Sequence, residues 1–138
     1  MKIRPFEPRD RDAVIELWRA CELTRPWNDP GRDIERKQAV QPELFLLGFD
    51  GDVLIATVMA GYEGHRGWVN YLGVAPHHRR KGHGRVMMHA VEEALAAMGA
   101  PKVNLQVRAG NDEAVAFYRS LGYEIEEIVS LGKSIAPA

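Results

Sequence analysis

The sequence predicts an α/β fold with a mixed central β-sheet, and three observations support that prediction. Strand-like runs and longer amphipathic segments follow one another in the order β-α-α-β-β-β-α-β-α-β-β. A helix-length segment separates the strand-like stretches Trp68–Val74 and Lys102–Val107, as in a parallel crossover. The dipeptide Asp50-Gly51 joins two other strand-like stretches and is typical of an antiparallel hairpin. We therefore expect a sheet of six to seven strands flanked by about four helices.

The predicted strands are short runs rich in β-branched and aromatic residues, bounded by turn residues. In chain order they are Lys2–Phe6, Leu44–Phe49, Val53–Tyr62, Trp68–Val74, Lys102–Val107, Tyr123–Val129 and Leu131–Ile135. The last two follow the final helix and complete the predicted sheet.

The predicted helices carry apolar residues at helical spacing, with capping residues at their ends. In chain order they are a helix capped by Asp10 or Asp12 that reaches Cys21, a charged helix over Asp33–Val40, a helix from Gly84 or Arg85 to about Met98, and a helix capped by Asn111 that runs to about Leu121. The inner face of the third is predicted to hold Val86, Met87, Ala90, Val91, Ala94, Leu95 and Met98.

Composition narrows the class of protein. The 138 residues, 46% hydrophobic and 27% charged, fit one domain over residues 1–138. A net charge of −1 argues against a surface devoted to nucleic acid. Cys21 is the only cysteine, so a reducing compartment, the cytoplasm, is expected. No apolar run approaches the roughly 20 residues that span a bilayer, and the charged start lacks the apolar core of a secretory signal.

The stretch HHRRKGHGRVMM, residues 77–88, concentrates positive charge at the predicted start of the third helix. Three cations, Arg79 to Lys81, precede Gly82 and Gly84. A helix start exposes unpaired backbone N–H groups, and glycine lets a ligand approach the backbone closely. Together these features predict an anion cradle, and phosphate is its usual occupant. The alternative is a solvated basic turn whose glycines serve only its geometry.

Two motifs then define a family resemblance. Residues Arg79–Gly84 fit R-x-x-G-x-G, and residues Asn111–Tyr123 fit N-x-x-A-x-x-F-Y-x-x-L-G-[FY]. With these motifs in this order, the chain resembles the GNAT (GCN5-related N-acetyltransferase) superfamily over nearly its whole length. It is similar in particular to the bacterial YpeA subgroup, in the stretches LTRPWNDP, DIERK and GHRG. The resemblance implies the GNAT fold and transfer of an acetyl group from acetyl-coenzyme A to an amine by direct attack.

The resemblance also implies a role for each matched residue. The backbone of Leu72, Gly73 and Val74 is expected to pair with the pantetheine arm, as an added strand would. Tyr118 is the expected general acid, because a phenol stays protonated at neutral pH and can donate to the departing thiolate; an ordinary core tyrosine is the alternative. Asn111 is expected to contact the cofactor or only to cap its helix. The pyrophosphate loop is expected to comprise Arg80, Lys81, Gly82, His83, Gly84 and Arg85, with Arg79 opening the motif or only buttressing it.

The acceptor site is predicted from two polar loops. The loop Thr24–Gly31 carries Trp27 and Asp29, which suit a cationic amine through cation–π contact and ion pairing; a lid over the core and a helix cap are the alternatives. The turn after the third strand supplies Tyr62 and His65. The general base stays open among Glu63, Tyr62, His65 and a water held by Asn70. Gln106 stands where some amino-terminal acetyltransferases of this fold carry a glutamate, so acetylation of protein amino termini is doubtful.

Two other functions compete with an enzyme acting on acetyl-coenzyme A and an amine. A non-catalytic module that binds or senses acyl-coenzyme A would use the same cradle and would need no base; Tyr118 favours the enzyme. An acetyltransferase linked to nucleic acid or to a toxin–antitoxin pair is disfavoured by the near-neutral charge. No metal is expected, because the histidines fall in no ligand spacing. A homodimer is compatible with the sequence.

Overall fold

The computed structural model describes residues 1–136. Its residue contacts divide the chain into two compact units, Met1–Gln106 and Val107–Ala138. The single domain over residues 1–138 stays a prediction. No helix among the described residues is both long and apolar enough to cross a bilayer.

The first unit is built on a five-stranded mixed sheet. Its strands are β1 (Lys2–Pro5), β2 (Phe45–Asp50), β3 (Val53–Tyr62), β4 (Gly67–Val74) and β5 (Val103–Leu105). They lie side by side in chain order. The pairs from β1 to β4 are antiparallel, and β5 pairs parallel to β4. The mixed sheet, the hairpin and the parallel crossover are therefore confirmed.

The described residues form four α-helices besides the strands. In the first unit they are α1 (Arg11–Ala20), α2 (Pro30–Ala39) and α3 (His83–Ala97), and in the second unit α4 (Asp112–Ser120). The number predicted is thus confirmed, but α2 begins three residues earlier than predicted, because Asp29 caps it and Pro30 occupies its first position.

Helix α1 packs its aromatic and aliphatic face on the sheet. Val14 and Trp18 are fully buried there and share a cluster with Phe45 and Leu47 of β2 and with Ile34 of α2. Burying each large side chain contributes about 1.5–3 kcal/mol, so this cluster fixes α1 and α2 against the strands.

Helix α3 buries a narrower face than the sequence pattern predicts. Met87, Val91 and Leu95 are fully buried as predicted, and Met88, which the pattern omits, is buried with them. The predicted inner residues at the two ends, Val86 and Met98, are substantially exposed. At the start of α3 the adjacent Met87 and Met88 are buried and Val86 is not, so the buried face is turned towards Met88 relative to the face that the sequence pattern predicts.

The two last predicted strands are not formed, so the expectation of six to seven strands is wrong and the sheet has five. Residues 123–135 adopt no strand pairing among the described residues. Ile125, Val129 and Leu131 in this segment are 73%, 85% and 91% exposed. Apolar residues in a short run suit a pleated surface, but a strand also needs a paired neighbour. Strand β5 is also shorter than the predicted Lys102–Val107.

Candidate active site

Strand β4 contains an irregularity that opens its outer edge. The register between β3 and β4 shifts between Thr57 and Met59, and Tyr71 opposite this shift has a φ of +53°. Strand β5 pairs with β4 only as far as Val69. From Asn70 onward, no strand in the described part of the chain covers the outer edge of β4.

The bulge reverses which face the following residues present. Gly73 is six positions after Gly67, so in a regular strand both would face the same side. A Cβ on Gly67 would lie 2.8 Å from Leu95 of α3, whereas a Cβ on Gly73 would lie 2.9 Å from Leu23, which follows α1. The extra residue of the bulge accounts for the reversal.

Backbone groups along this open edge are directed outward at every second residue. The N–H of Ala75 donates to the carbonyl of Ile55 at 2.7 Å, and Gly73 stands opposite Thr57. The alternation of an antiparallel ladder therefore directs the groups of Leu72 and Val74 to the outer edge and those of Gly73 towards β3. Of the three backbones predicted to meet a pantetheine arm, two are oriented to do so.

The Val74 carbonyl at this edge already has partners within the chain. It accepts hydrogen bonds from Arg79 Nε at 3.0 Å and from the Cys21 thiol at 3.3 Å. Burial raises the pKa of the Cys21 thiol, which keeps it protonated as a donor. Arg79 thus buttresses the end of β4, the second of the two roles that the sequence left open for it.

The residues of the predicted cradle lie between β4 and the first turn of α3. Gly82 is the N-cap of α3 with a φ of +83°, a conformation that favours glycine, and no side chain caps the helix there. No acidic residue lies in the first turn. Arg80, Lys81 and Arg85 are exposed around it, and His83 and Gly84 are half-buried. The free N–H groups and the cations make this helix start suited to an anion such as a pyrophosphate.

The second unit carries the other motif. The side-chain oxygen of Asn111 accepts from the N–H of Ala114 at 3.1 Å, so Asn111 caps α4. Tyr118 lies on α4 with its ring edge-on to those of Phe117 and Tyr123. Burial raises the pKa of Tyr118 to about 12, so the phenol holds its proton throughout the neutral range.

The residues predicted to bind the acceptor have local roles. Asp29 Oδ1 accepts from the N–H of Arg32 at 3.2 Å and caps α2, which is the alternative given for it. Asp29 also lines an open groove of about 580 Å³ between α1 and the start of α2. Trp27 is 69% exposed, which is not the burial expected of a lid over the core.

The turn between β3 and β4 uses its own polar groups. The Tyr62 hydroxyl donates to the Gly64 carbonyl at 3.3 Å. The Glu63 carboxylate accepts from the backbone N–H groups of Arg66 and His65. These hydrogen bonds lower the pKa of Glu63 and make it a weaker proton acceptor. The lowered pKa counts against Glu63 as the general base.

The structure contains a polar pair beside the bulge, Tyr71 and Asp33, that the sequence analysis did not predict. The Tyr71 hydroxyl donates to Asp33 Oδ2 at 2.6 Å, joining β4 to α2. The signal available was the spacing of Asp33 and Lys37, four residues apart, which places two charged groups on one helix face. Both face inward in the structure: Lys37 is buried and donates to the Ala60 carbonyl.

No group of three or more His, Cys, Asp or Glu side chains within residues 1–136 is arranged to hold a metal ion.

The sequence profile of the Acetyltransferase (GNAT) family matches residues 11–123. A Yersinia pestis (strain Pestoides F) acetyltransferase is 44% identical over 135 residues, which cover 98% of this chain and 96% of the relative.

Solved structures agree with this match. Naa20 of Chaetomium thermophilum, solved in complex with a bisubstrate analogue, is 28% identical with a TM-score of 0.73 over 91% of this chain and 72% of that one. Ard1 of Thermoplasma volcanium is 25% identical with a TM-score of 0.79 over 91% of this chain and 83% of that one. The chain belongs to the GNAT acetyltransferase family, and it is an acyltransferase.

Proposed function

We propose that the enzyme transfers the acetyl group of acetyl-coenzyme A to a primary amine by direct attack of the amine on the thioester. The observation that carries the proposal is the juxtaposition, within the first unit, of an open strand edge and an uncapped basic helix start. The edge at Leu72 and Val74 suits the amide-bearing arm of the cofactor, and the start of α3 suits its phosphates.

Different residues bind the two parts of acetyl-coenzyme A, the pyrophosphate and the pantetheine arm. The N–H groups of the first turn of α3 hold the pyrophosphate, with Arg80, Lys81 and Arg85 adding positive field. The outward groups of Leu72 and the N–H of Val74 pair with the arm, while the Val74 carbonyl stays with Arg79 and Cys21. Hydrogen bonds to charged groups contribute about 1.5–3 kcal/mol each, so a few of them support micromolar affinity.

The chemical step needs no acyl-enzyme. The amine nitrogen forms a bond to the acetyl carbon, the carbon–sulfur bond breaks, and the departing thiolate takes a proton. The family resemblance implies that Tyr118 donates this proton to the thiolate. The raised pKa of Tyr118 supports the role, because the phenol stays protonated until the thiolate departs. The proton released by the attacking nitrogen passes to water.

The alternative, a module that binds acyl-coenzyme A without turning it over, is disfavoured by the match to a family of acetyltransferases. A cytoplasmic location belongs to the same proposal, supported by the single free cysteine.

One experiment separates the two functions. The protein is incubated with acetyl-coenzyme A and pooled amine metabolites and peptides, and free thiol and acetylated products are followed by mass spectrometry. We expect thiol release that depends on added amine. Tight coenzyme A binding without amine-dependent thiol release would favour the sensing module.

A further inference from the structure

Tyr71 occupies the point where β4 parts from β5, and the structure holds it there firmly. Its ring stacks on Trp18 with centroids 3.8 Å apart and planes 9° from parallel. Its carbonyl accepts from the Thr57 hydroxyl at 2.8 Å, and Trp18 Nε1 donates to the same hydroxyl at 3.1 Å. A non-glycine residue at positive φ costs free energy, and it persists here because its neighbours fix it from both sides.

This rigid ring fixes a carboxylate. The Tyr71 hydroxyl donates to Asp33 Oδ2 at 2.6 Å, a short, charge-assisted hydrogen bond. Burial, and then the hydrogen bond to Asp33, raise the pKa of Tyr71, so the phenol remains the donor in this hydrogen bond.

The Asp33 carboxylate keeps capacity for another cation. Its other oxygen faces only Arg36 Nη1 at 3.3 Å, an exposed pair that is worth little. The Asp33 side chain is 28% exposed, so a solute can reach it. Asp29 and Glu63, by contrast, accept backbone N–H groups of their own turns.

We propose that Asp33 holds the acceptor as an alkylammonium ion beside the bulge, and that Tyr71 is the positioning residue that aims the Asp33 carboxylate. This rests on the proposed function, because an acetyl arm running along Leu72 and Val74 brings its thioester to the bulge end of that edge. The substrate class is a primary alkylamine, protonated at neutral pH, in preference to an arylamine, which is neutral there. Asp33 pairs with the cation, and the proton leaves to water before attack.

The first test compares two defined acceptors, butylamine and 4-methoxyaniline, in the wild-type enzyme and in variants. Asp33→Asn is expected to lower kcat/KM for butylamine about tenfold, mainly through KM, and to leave kcat/KM for 4-methoxyaniline unchanged. Tyr71→Phe keeps the stacked ring and is expected to give a smaller loss with the same selectivity.

Two neighbours on α2 provide controls. Glu35→Gln removes the same charge from an exposed position of the same helix and should change neither acceptor. Arg36→Gln removes the cation that competes for Asp33 and should lower KM for butylamine. At saturating acetyl-coenzyme A, kcat/KM for butylamine should also fall with added salt in the wild type and much less in Asp33→Asn. Equal losses for both acceptors, or losses equal to those of Glu35→Gln, would overturn the assignment.

A second test does not depend on turnover. In protein labelled with ¹³C at the aspartate carboxyl carbons and saturated with coenzyme A, the Asp33 resonance should move on addition of butylammonium chloride and stay still with butanol. If the chemical shift of the Asp33 carboxyl carbon did not change with butylammonium, the proposal would be overturned, even if Asp33→Asn failed to fold. Such a result would leave acetyl transfer standing, whereas loss of coenzyme A binding or of amine-dependent thiol release would count against the proposed function instead.

Discussion

The starts of helices α2 and α3 differ in how their unpaired backbone N–H groups are satisfied. Every helix begins with backbone N–H groups that lack intrahelical partners. At α2 the chain supplies a partner, because Asp29 accepts from the N–H of Arg32. At α3 the N-cap is Gly82, which has no side chain to offer, and cations surround the turn. The fold therefore caps the start of α2, whereas under the proposed function the phosphates of acetyl-coenzyme A would complete the start of α3.

The start of α4 resembles the start of α2, because a side chain caps it. Asn111 accepts from the N–H of Ala114 there, as Asp29 does at α2. Asn111 therefore has a structural role that needs no cofactor, while the catalytic role proposed for α4 rests on Tyr118 alone. The proposed function thus places cofactor binding at the start of α3 and proton donation at Tyr118. Substitutions at the two places should therefore change different quantities, coenzyme A affinity and turnover.

The largest effect is expected from Tyr118→Phe. The change keeps the ring and removes only the proton donor, so turnover should fall by roughly 10²–10⁴-fold while affinity for coenzyme A is retained. Steady-state kinetics and calorimetry on the same preparation measure the two quantities. Full turnover in a folded variant would assign Tyr118 to packing or show that chemistry does not limit the rate.

Next in size is Gly84→Asp, which places a carboxylate in the first turn of α3. An acidic residue there favours the helix, so the variant should fold at least as well as the wild type. The same charge opposes bound phosphates, and coenzyme A should bind more weakly by over 1.4 kcal/mol, about tenfold. Unchanged affinity by calorimetry in the folded variant would remove the α3 start from the binding site.

A substitution at the start of α2 should instead lower stability and leave coenzyme A affinity unchanged. Asp29→Ala removes a cap and should cost about 1 kcal/mol of unfolding free energy, or roughly 2–6 °C in Tm, with coenzyme A affinity unchanged. Asp29→Asn is the control, because asparagine caps as well as aspartate but carries no charge. If Asp29→Asn raised KM for a cationic amine while keeping Tm, Asp29 would be an acceptor ligand as well as a cap.

The contrast also explains what the sequence could predict. The helix start at Gly82 was predictable because its determinants are local: Gly82 adopts positive φ, and the cations adjoin it in the chain. The cap at Asp29 was visible for the same reason, as the alternative to an acceptor role. Neither depends on how distant segments pair.

The bulge and the last strands depend on distant pairing. Tyr71 takes positive φ because the register against Thr57 and Met59 slips by one residue, and nothing within β4 encodes that slip. Residues 123–135 show the opposite error, since a strand-like pattern predicted pairing that is not formed. The Tyr71–Asp33 pair was not predicted because its two residues are 38 positions apart in the sequence.

The smallest expected effect is a salt dependence confined to the start of α3. Exposed Arg80, Lys81 and Arg85 act on phosphates through solvent, where the screening length is about 10 Å at 0.1 M salt. Coenzyme A affinity should therefore fall about two- to fourfold as NaCl rises from roughly 0.05 to 0.2 M. Pantetheine, which carries no phosphate, is the control, and its weaker affinity should not respond to salt. Equal salt dependence for the two ligands would mean that the cations of α3 do not bind the phosphates, and the difference between the starts of α2 and α3 would then reflect only the geometry that glycine allows.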